Sequence, residues 1–479
     1  MYDKILDVCK RRGIVYPSFE IYGGLSGFID YGPMGSRIKQ NVEDTLRRHY
    51  VVGDGCLEVQ CPTVNPEEVW IASGHVGGFS DLMVECLKCS EDFRADKLLE
   101  EKGVTAEGKP PEEVEKLLLE NAIVCPSCGG KFSKPQAYNL MFETAAGGGK
   151  KRKTSYLRPE TAQTTYLGFR RLWEFARRRL PFGVIQIGHS FRNEISPRQG
   201  MLRLREFNQC EIQYFLDPQN KSCPRLAEVG GRRIRITDKN DKKLEMTLSE
   251  AYEKKVIEIE FLAYQLGKAV QVFEDIGLSA EKLQLRQHRE DERAFYSSDT
   301  WDVEYVSEVF GTIELVGIAD RTDYDLTQHM KHSKQDMTVS FDGRKFVPHV
   351  IEVAYGIDRP IYCALESCYK EDGERAYFSF PAKIAPYLCG VFSLVKKDGI
   401  AEKTDEIFNM LRARGYYVFA DHAGSIGKRY ARADEVGVPY CVTVDYETME
   451  KGTVTVRERD SKQQVRIPLA ELENHLCPR

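Results

Sequence analysis

Two strand-like runs, joined by a loop with breaker residues, constrain the fold of this chain more than any other feature. The first run, FGVIQIGHSF, leads into Arg192 and Glu194. The loop that follows contains Pro197 and Gly200, both typical breakers. The second run, MLRLREFNQCEIQYF, alternates its side chains between two faces, as a strand does. Together the runs predict a two-stranded ribbon with a long, basic loop.

One face of this ribbon collects side chains suited to a nucleotide: Arg192, Glu194, Arg203, Phe207 and Glu211. A planar cation matches a phosphate, a carboxylate accepts from an exocyclic amine, and an aromatic ring offers a stacking surface. The same residues fit a solvated hairpin held by salt bridges equally well, because short motifs produce false positives. The residues alone leave both interpretations open.

The segment FRNEISPRQGMLRLREFNQCEIQYF resembles motif 2 of the class II aminoacyl-tRNA synthetases, and in detail that of the glycyl-tRNA synthetases. Six further blocks are similar to family blocks and follow the family order: SFEIYGGLSGFIDYGPMGSRIKQN, FRADKLL, YLRPETAQ, RQHREDERAFYSSDTWDVEY, GIADRTDYDL and SIGKRYARADEVGVPYCVTVD. By this resemblance the chain is identified as a member of the homodimeric type, in which one polypeptide carries the activation and tRNA-binding domains.

The domain organisation follows from length and from this resemblance. A chain of 479 residues favours about three domains. The resemblance implies an α+β and α/β multidomain protein, with a class II catalytic domain built on an antiparallel sheet flanked by helices. The expected order is a first catalytic segment with motif 1 at 1–85, a Cys-rich zinc insertion at 86–135, a second catalytic segment with motif 2 at 136–220, a second insertion at 221–283, a third catalytic segment with motif 3 at 284–380 and an anticodon-binding domain at 381–479.

Motifs 1 and 3 of the family also have counterparts here. Ser36 is predicted to cap a helix whose Ile38, Val42 and Leu46 fall on one face. The resemblance implies that this helix and the next strand, motif 1, build a dimer interface, although spacing alone indicates only an amphipathic helix. The segment PHVIEVAYGIDRPIYCALE predicts a buried strand, a glycine turn and a helix opening at about Asp358, similar to motif 3.

Two CxxC pairs, Cys86 with Cys89 and Cys125 with Cys128, indicate a metal site. Four thiolates in two such pairs form a closed tetrahedral site for structural zinc, with no open position for catalysis. The spacing between the pairs exceeds that of an ordinary zinc ribbon, so KLLEEKG and PPEEVEKLLLE are expected to be helical excursions. Unliganded cysteines remain the alternative.

Two later segments have simpler patterns. The second insertion shows a turn-rich, strand-like stretch, GGRRIRITDKNDKKLEMTLS, and then one long helical pattern, AYEKKVIEIEFLAYQLGKAVQVFEDIG; the resemblance implies contact with the tRNA acceptor arm. After Pro381 strands and helices alternate, which predicts a mainly parallel sheet surrounded by helices. The hairpin TVTVRERDSKQQVRI follows. This is only a small α/β domain by itself, and the resemblance assigns it to the tRNA anticodon.

The overall composition neither indicates nor excludes a nucleic-acid partner. Lys and Arg total 68 against 73 Asp and Glu, a net charge of -5. The basic stretches GGGKKRK and RRLWEFARRR could meet phosphates, although such runs are usually solvated faces. No apolar run approaches the ~18 residues of a membrane span, and the N-terminus lacks the pattern of a signal peptide. Fourteen cysteines without an export signal predict reduced thiols in the cytoplasm.

The resemblance implies a reaction in two halves. The glycine carboxylate attacks the α-phosphate of ATP, and the adenylate then esterifies the terminal ribose of tRNA. Because that carboxylate is already ionised, no general base is needed, and catalysis depends on positioning and charge stabilisation. Arg192 and Arg359 are the catalytic residues in this interpretation. Arg192 would hold the α-phosphate and the attacking carboxylate, and Arg359 would cover the adenine ring.

The remaining family roles map onto matching positions of this chain. Glu194 would accept from the adenine amine, Phe207 would stack under the ring and Arg203 would meet the γ-phosphate. Glu314, with the backbone at Leu315, would hold Mg²⁺ and ATP. The implied ATP-binding set is Arg192, Asn193, Glu194, Leu202, Arg203, Phe207, Glu314, Leu315, Gly356 and Arg359. The implied glycine-binding set is Arg94, Glu160, Phe207, Glu211, Glu352, Ala354 and Gly356.

Three glutamates of that set, Glu160, Glu211 and Glu352, match family carboxylates around the substrate ammonium. Packed carboxylates raise each other's pKa unless cations intervene, and the ammonium and neighbouring arginines are expected to do so. One departure from the family pattern stands beside them. Family members show Glu-Pro-Ser-Phe-Gly before the motif 3 helix, whereas this chain has Val353, Ala354 and Tyr355 between Glu352 and Gly356.

Three competing interpretations remain. A non-catalytic, synthetase-like protein that binds RNA or a polymerase is expected to have lost the nucleotide residues, which are present here. A sister synthetase for another small amino acid is disfavoured by the three glutamates. A bare zinc-ribbon nucleic-acid module would leave most of the similar blocks unexplained.

Overall fold

A nine-stranded sheet forms the centre of the molecule. The computed structural model describes residues 1–106, 108–197, 200–294, 296–373 and 375–477. The strands of the sheet, in spatial order, are Lys243–Thr247, Arg233–Thr237, Leu283–Gln287, Asp299–Ser307, Gly311–Thr322, His349–Gly356, Glu206–Leu216, Phe182–Phe191 and Leu57–Val59. Six of the eight neighbouring pairs are antiparallel, and two are parallel. The expected antiparallel core is confirmed.

The predicted ribbon lies inside this sheet. Phe182–Phe191 pairs antiparallel with Glu206–Leu216, from Phe182 opposite Phe215 to Phe191 opposite Glu206. The second strand begins at Glu206 rather than at residue 201, because Gly200–Leu202 form a 3-10 turn. Residues 198 and 199 of the loop lie outside the described residues. Motif 3 is a strand, His349–Gly356, followed by the helix Asp358–Cys368, as predicted.

The motif 1 helix runs from Pro33 to Arg47 and differs from the prediction at its start. Ser36 is not its cap: Gly32 holds that position, and the Ser36 hydroxyl donates to the Tyr31 carbonyl from inside the first turn. Proline is well suited to the first helical position, because its fixed φ matches a helix and its missing N–H is not needed there. The three residues predicted on one face, Ile38, Val42 and Leu46, are buried.

Residues 221–283 do not form a sheet of their own. Their strands, Arg233–Thr237 and Lys243–Thr247, extend the central sheet, and Arg233–Thr237 pairs in parallel with Leu283–Gln287. The single long helix predicted here is wrong: the structure has Leu248–Glu253 and Glu260–Asp275, separated by a turn. Twelve of the sixteen residues of Glu260–Asp275 are buried, so this helix belongs to the main core. The six domain boundaries themselves stay a prediction.

The Cys-rich segment forms a small separate layer. Its sheet has the order Asp92–Arg94, Ser80–Glu85 and Gln136–Asn139, all antiparallel. The excursion PPEEVEKLLLE forms the helix Pro111–Glu120, as predicted, whereas KLLEEKG is helical only at 97–100, as the end of the helix Ala95–Glu100. Both helices pack on a cluster of buried apolar residues of their own.

The C-terminal region is a five-stranded sheet in the order Val418–Ala420, Cys389–Ser393, Tyr440–Val444, Thr453–Glu458 and Gln464–Pro468. The first three strands are parallel and the last two form the predicted hairpin. Its helices are Ile400–Ala413, Ile426–Glu435, Tyr446–Lys451 and Leu472–Leu476. The expected α/β domain is confirmed.

Short elements complete the molecule. The other helices are Tyr2–Arg11, Glu67–Ala72, His75–Gly78, Ala162–Leu167, Phe169–Phe175, Leu226–Val229 and Tyr324–Ser333. The other strands pair as Val15–Pro17 with Ile29–Tyr31, Val64–Pro66 with Lys153–Leu157 and Phe142–Ala146, Val339–Phe341 with Arg344–Phe346, and Tyr369–Asp372 with Arg375–Phe378. Within the described ranges, every helix is too short or too polar to cross a membrane.

Candidate active site

A cavity of about 340 Å³ opens over the central strands of the sheet. The ribbon, the strand Gly311–Thr322 and the motif 3 strand supply most of its wall. Thirteen of the residues singled out in the sequence line it: Glu160, Arg192, Glu194, Leu202, Arg203, Phe207, Glu211, Glu314, Leu315, Glu352, Ala354, Gly356 and Arg359. Residues separated by up to 199 positions in the chain therefore meet in one place.

Arg192 lies just past the end of its strand and is fixed from two sides. Its backbone N–H donates to the Arg205 carbonyl (2.9 Å), and its Nε donates to the Pro159 carbonyl (3.3 Å). The guanidinium lies 5.4 Å from the ring centres of both Phe79 and Phe207. Among the residues that the structure describes, Nε makes the side chain's only hydrogen bond. The outer nitrogens thus remain for an anionic ligand.

Glu194, two residues after this arginine, is partly buried and has one fully buried carboxylate oxygen. Its Oε2 has no hydrogen-bond partner among the described residues and lies 3.7 Å from Arg203 Nε, beyond hydrogen-bonding distance. A buried carboxylate oxygen without a donor is uncommon in folded proteins, and in a cavity wall it is free to accept from a ligand. The position suits the predicted contact with an exocyclic amine.

Arg359 connects two walls of the cavity. Its Nε donates to the Leu202 carbonyl (3.0 Å) and its Nη1 to the Glu314 carbonyl (3.1 Å), with the Glu314 carboxylate 3.5 Å away. The preceding residue, Asp358, accepts from the backbone and side chain of Asn208 (2.7 and 3.0 Å). These contacts hold the start of the motif 3 helix against the ribbon.

Glu160, Glu211 and Glu352, here called the glutamate pocket, line the cavity and surround a buried arginine that the sequence motifs did not single out. Arg321 donates to both oxygens of Asp325 (2.7 and 2.8 Å) and to Glu352 (3.0 Å). Arg321 lies in the family block GIADRTDYDL, but its partner Glu352 comes from another strand, so no local pattern of the sequence singles it out.

The three carboxyls of the glutamate pocket have pKa values shifted in different directions. Burial, and then the neighbouring Glu352 and Glu160, raise the pKa of Glu211 to about 8. Burial alone would raise the pKa of Glu160 too, but His75 and Arg321 hold it below its ordinary value. Burial also raises the pKa of Glu352, against the opposing charge of Arg321. The expectation that packed carboxylates raise each other's pKa holds for Glu211, with Arg321 as the compensating cation.

Two predicted residues are not in the cavity wall. Arg94 pairs with Asp81 (2.9 Å) and Asp96 (2.5 Å) on the Cys-rich layer. The backbone N–H of Asn193 donates a hydrogen bond to the Leu140 carbonyl (2.8 Å), outside the cavity wall. Their substrate contacts stay predictions.

The departure from the family pattern has a structural counterpart. Ala354 lines the cavity, whereas Val353 and Tyr355 on either side are buried in the sheet. The Tyr355 hydroxyl makes a buried hydrogen bond with that of Tyr50, in the same core (2.6 Å). The change from proline to Val353 thus faces the core, and only Ala354 alters the cavity surface.

The four cysteines of the Cys-rich layer converge. Their sulfurs all lie within 4.8 Å of one another, with Cys86 and Cys128 3.4 Å apart and Cys89 and Cys125 3.7 Å apart. Four thiolates bound 2.3 Å from a tetrahedral zinc ion lie about 3.8 Å apart. A Cβ at Gly130 would be 2.8 Å from the Cys86 sulfur, so glycine is required there. This geometry fits a closed zinc site.

Comparison with known families supports the architecture. The family model described as tRNA synthetase class II core domain (G, H, P, S and T) matches residues 144–230, and the anticodon binding domain model matches residues 389–476. A prolyl-tRNA synthetase from Giardia lamblia, solved in complex with prolyl-adenylate, superposes with a TM-score of 0.61 over 98% of this chain and 74% of that one. At 16% identity, this likeness shows the fold alone.

Curated relatives match the whole chain. The glycine–tRNA ligase of Methanocaldococcus jannaschii is 41% identical, covering 100% of this chain and 99% of its own. That of Methanothrix thermoacetophila is 41% identical (97% and 95% covered), and that of Thermococcus sibiricus 40% (99% and 98%). The alignments span 547 to 571 positions against 479 residues here, so the relatives carry additional segments. This chain belongs to the glycine–tRNA ligase family of class II aminoacyl-tRNA synthetases.

Proposed function

We propose that this chain attaches glycine to tRNA(Gly) in two steps, forming glycyl-adenylate from ATP and then charging the 3′-terminal adenosine of the tRNA. The observation that supports it most directly is a single cavity with the glutamate pocket and Arg192 in its wall. Glycine offers only an ammonium and a carboxylate for recognition. The glutamate pocket can bind the ammonium and Arg192 can bind the carboxylate, and both lie in the wall of one cavity.

The roles that the family resemblance implies for these residues account for the chemistry. The Arg192 fork binds the α-phosphate and the attacking carboxylate together, which brings the nucleophile to the reacting atom and stabilises the charge that develops there. Glu194 accepts from the adenine amine, and Phe207 and Arg359 enclose the ring. Arg203 meets the γ-phosphate. Glu314 would hold the Mg²⁺ that accompanies ATP, and that ion would supply positive charge opposite the phosphates.

The alternative is a non-catalytic, synthetase-like protein that binds RNA. Amino-acid-dependent ATP–pyrophosphate exchange, measured with each of the twenty amino acids, separates the two. Exchange with glycine, and alanine-dependent exchange lower by more than about tenfold, supports the proposal. No exchange with any amino acid by a folded, metal-loaded protein contradicts it and favours the alternative.

The partners follow from the same assignment. tRNA(Gly) is the macromolecular substrate, its anticodon binds the C-terminal α/β domain, and the enzyme works in the cytoplasm as a homodimer through motif 1. Sedimentation analysis tests the dimer. Removal of residues 381–479 tests the domain: glycine-dependent exchange should persist in the folded remainder while tRNA charging is lost.

The pKa of Glu211, raised to about 8 by burial and by Glu352 and Glu160, predicts how glycine binding depends on pH. An ammonium bound beside Glu211 favours the ionised carboxylate, so binding releases a proton below pH 8. We expect the KM for glycine to fall as pH rises from 6 to 8, by at most about tenfold per unit, and to level off above 8. Steady-state exchange at constant ionic strength measures it.

Two variants check the assignment of this pH dependence. Glu211→Gln removes the titrating group and should leave the glycine KM nearly independent of pH between 6 and 8. Glu206→Gln, an exposed glutamate on the same strand beside His189, should keep the wild-type profile. The same profile in wild type and Glu211→Gln would contradict the assignment.

The Cys-rich layer is expected to bind one zinc ion per chain, as a structural site without a role in the chemistry. Four thiolates complete a tetrahedral shell and leave no position for water or substrate. Elemental analysis of protein purified without chelator should give about one zinc per chain. Cys125→Ser should lower this content sharply, whereas Cys477→Ser, outside the site, should leave it unchanged. A zinc-free wild-type protein would contradict the prediction.

A further inference from the structure

We propose that His75 is a positioning residue for the amino-acid substrate, holding the Glu160 carboxylate where that carboxylate accepts from the glycine ammonium. This inference rests on the proposed function. His75 does not line the cavity and belongs to none of the sets assigned above, so it acts through Glu160.

The contacts of Glu160 come from two sides. His75 Nε2 lies 3.5 Å from Oε2, with both side chains about 15% exposed, and Gln163 Nε2 donates to Oε1 (2.9 Å). A carboxylate held at both oxygens has little freedom to rotate. Such supporting contacts keep a binding group within a few tenths of an ångström of its working position.

The imidazole is itself fixed. Its Nδ1 lies 2.8 Å from the Ser73 hydroxyl, which leaves Nε2 for Glu160. The ring makes edge contacts with Trp70 (5.4 Å between ring centres) and Phe79 (5.3 Å). Asn139 donates its side-chain amide to the carbonyls of His75 (3.3 Å) and Val76 (3.0 Å). The backbone, the ring plane and one ring nitrogen are therefore all constrained.

His75 also influences which glutamate carries the negative charge. Together with Arg321 and the hydrogen bond from Gln163, it opposes the effect of burial on the pKa of Glu160, whereas Glu211 has no cation in hydrogen-bond contact among the described residues and accepts from Thr161 (2.7 Å). Glu160 is thus the carboxylate of the pocket whose ionised form is favoured when the ammonium arrives. Without His75 the ionised form of this buried carboxylate would be more costly.

The same turn supports the other end of the substrate. Phe79 follows the helix His75–Gly78 and lies against the Arg192 guanidinium. A variant that disturbed the turn as a whole would therefore affect the ATP site as well as the glycine site. The test must remove the nitrogens of His75 and keep its ring between Trp70 and Phe79.

His75→Phe does this. We expect the glycine KM in exchange to rise by about tenfold, the gain from a charge-assisted hydrogen bond, while the ATP KM and kcat stay within about twofold, because uniform binding energy lowers KM without changing kcat. His422→Phe is the matched control: it removes a partly exposed histidine 3.7 Å from Asp405 in the C-terminal domain and should leave all three parameters unchanged.

A double-mutant cycle separates positioning from a general structural effect. In a Glu160→Gln background, adding His75→Phe should raise the glycine KM by no more than about twofold, since the carboxylate it serves is gone. If His75→Phe does not fold, Ser73→Ala replaces it and should raise the glycine KM by about threefold with the ATP KM unchanged.

Three results would overturn the inference. The first is a folded His75→Phe or Ser73→Ala enzyme with the wild-type glycine KM, and the second is an equal proportional increase in the KM of glycine and of ATP. The third is an additive effect of His75→Phe on Glu160→Gln. Absence of glycine-dependent exchange in the wild-type protein would instead overturn the proposed function.

Discussion

Arg192→Ala is expected to lower kcat/KM for glycine-dependent ATP–pyrophosphate exchange by about 10²–10³-fold or more, or roughly 3–4 kcal/mol. The loss should fall mainly on kcat, because the guanidinium is most needed where phosphate charge develops during attack. The fold should be retained, since Nε makes the side chain's one hydrogen bond within the described ranges. Exchange kinetics and thermal unfolding measure the two effects.

Two further variants show whether the guanidinium shape matters. Arg192→Lys keeps the charge but replaces the planar fork by a point charge, and should recover only a fraction of the lost activity. Arg170→Ala removes an exposed arginine that donates to the Thr338 carbonyl (2.7 Å) outside the cavity, and should exchange at the wild-type rate. Near-normal exchange by a folded Arg192→Ala enzyme would disprove the role assigned to Arg192.

Local patterns explain why much of this fold could be predicted from sequence. The alternation in residues 206–215 places Phe207 and Glu211 on one face of a strand, and the structure has both in the cavity wall. The spacing of Cys86, Cys89, Cys125 and Cys128 likewise predicts their convergence. In the strand, the deciding interactions span only a few residues. In the cysteine cluster, all four side chains share one dominant chemistry, the binding of a metal ion.

The errors come from interactions that a local pattern does not contain. The helical pattern after residue 250 continues through Lys255 and Ile259, but the chain turns there so that Glu260–Asp275 can pack in the central core. The pairing of Arg233–Thr237 with Leu283–Gln287 joins strands nearly fifty residues apart. Packing between segments far apart in the sequence decides both features, and amphipathic periodicity carries no information about that packing.

In the candidate site, too, the residues of a continuous motif could be predicted, and those whose contacts form only on folding could not. Arg192, Glu194 and Phe207 come from one continuous motif, so the family resemblance was enough to select them. Arg321 and His75 act on glutamates from other elements, through contacts made only after folding. The contact of Arg321 with Glu352 has no signature in spacing, because Glu352 comes from a different strand, and the contact of His75 with Glu160 joins residues far apart in the chain.

Arg321→Met is expected to lower the free energy of unfolding of the catalytic region by about 3–5 kcal/mol at pH 7. Removing one partner of a buried ion pair leaves uncompensated charge, here on Asp325 and Glu352. Urea unfolding followed by tryptophan fluorescence measures it, since all three tryptophans, Trp70, Trp173 and Trp301, are buried in this region of the chain. Arg178→Met, which breaks an exposed pair with Glu174, should cost less than about 0.5 kcal/mol.

The pH dependence of this loss identifies its cause. Burial raises the pKa of Glu352 even with Arg321 present, and in Arg321→Met the opposing charge is gone, so the folded-state pKa rises further. A carboxyl whose folded-state pKa exceeds its unfolded value makes the folded protein bind more protons, and stability then falls as pH rises between the two values. The difference between wild type and Arg321→Met should therefore be largest at neutral pH and shrink toward pH 5. A difference that is constant across this range would mean that lost packing, rather than unpaired charge, causes the destabilisation.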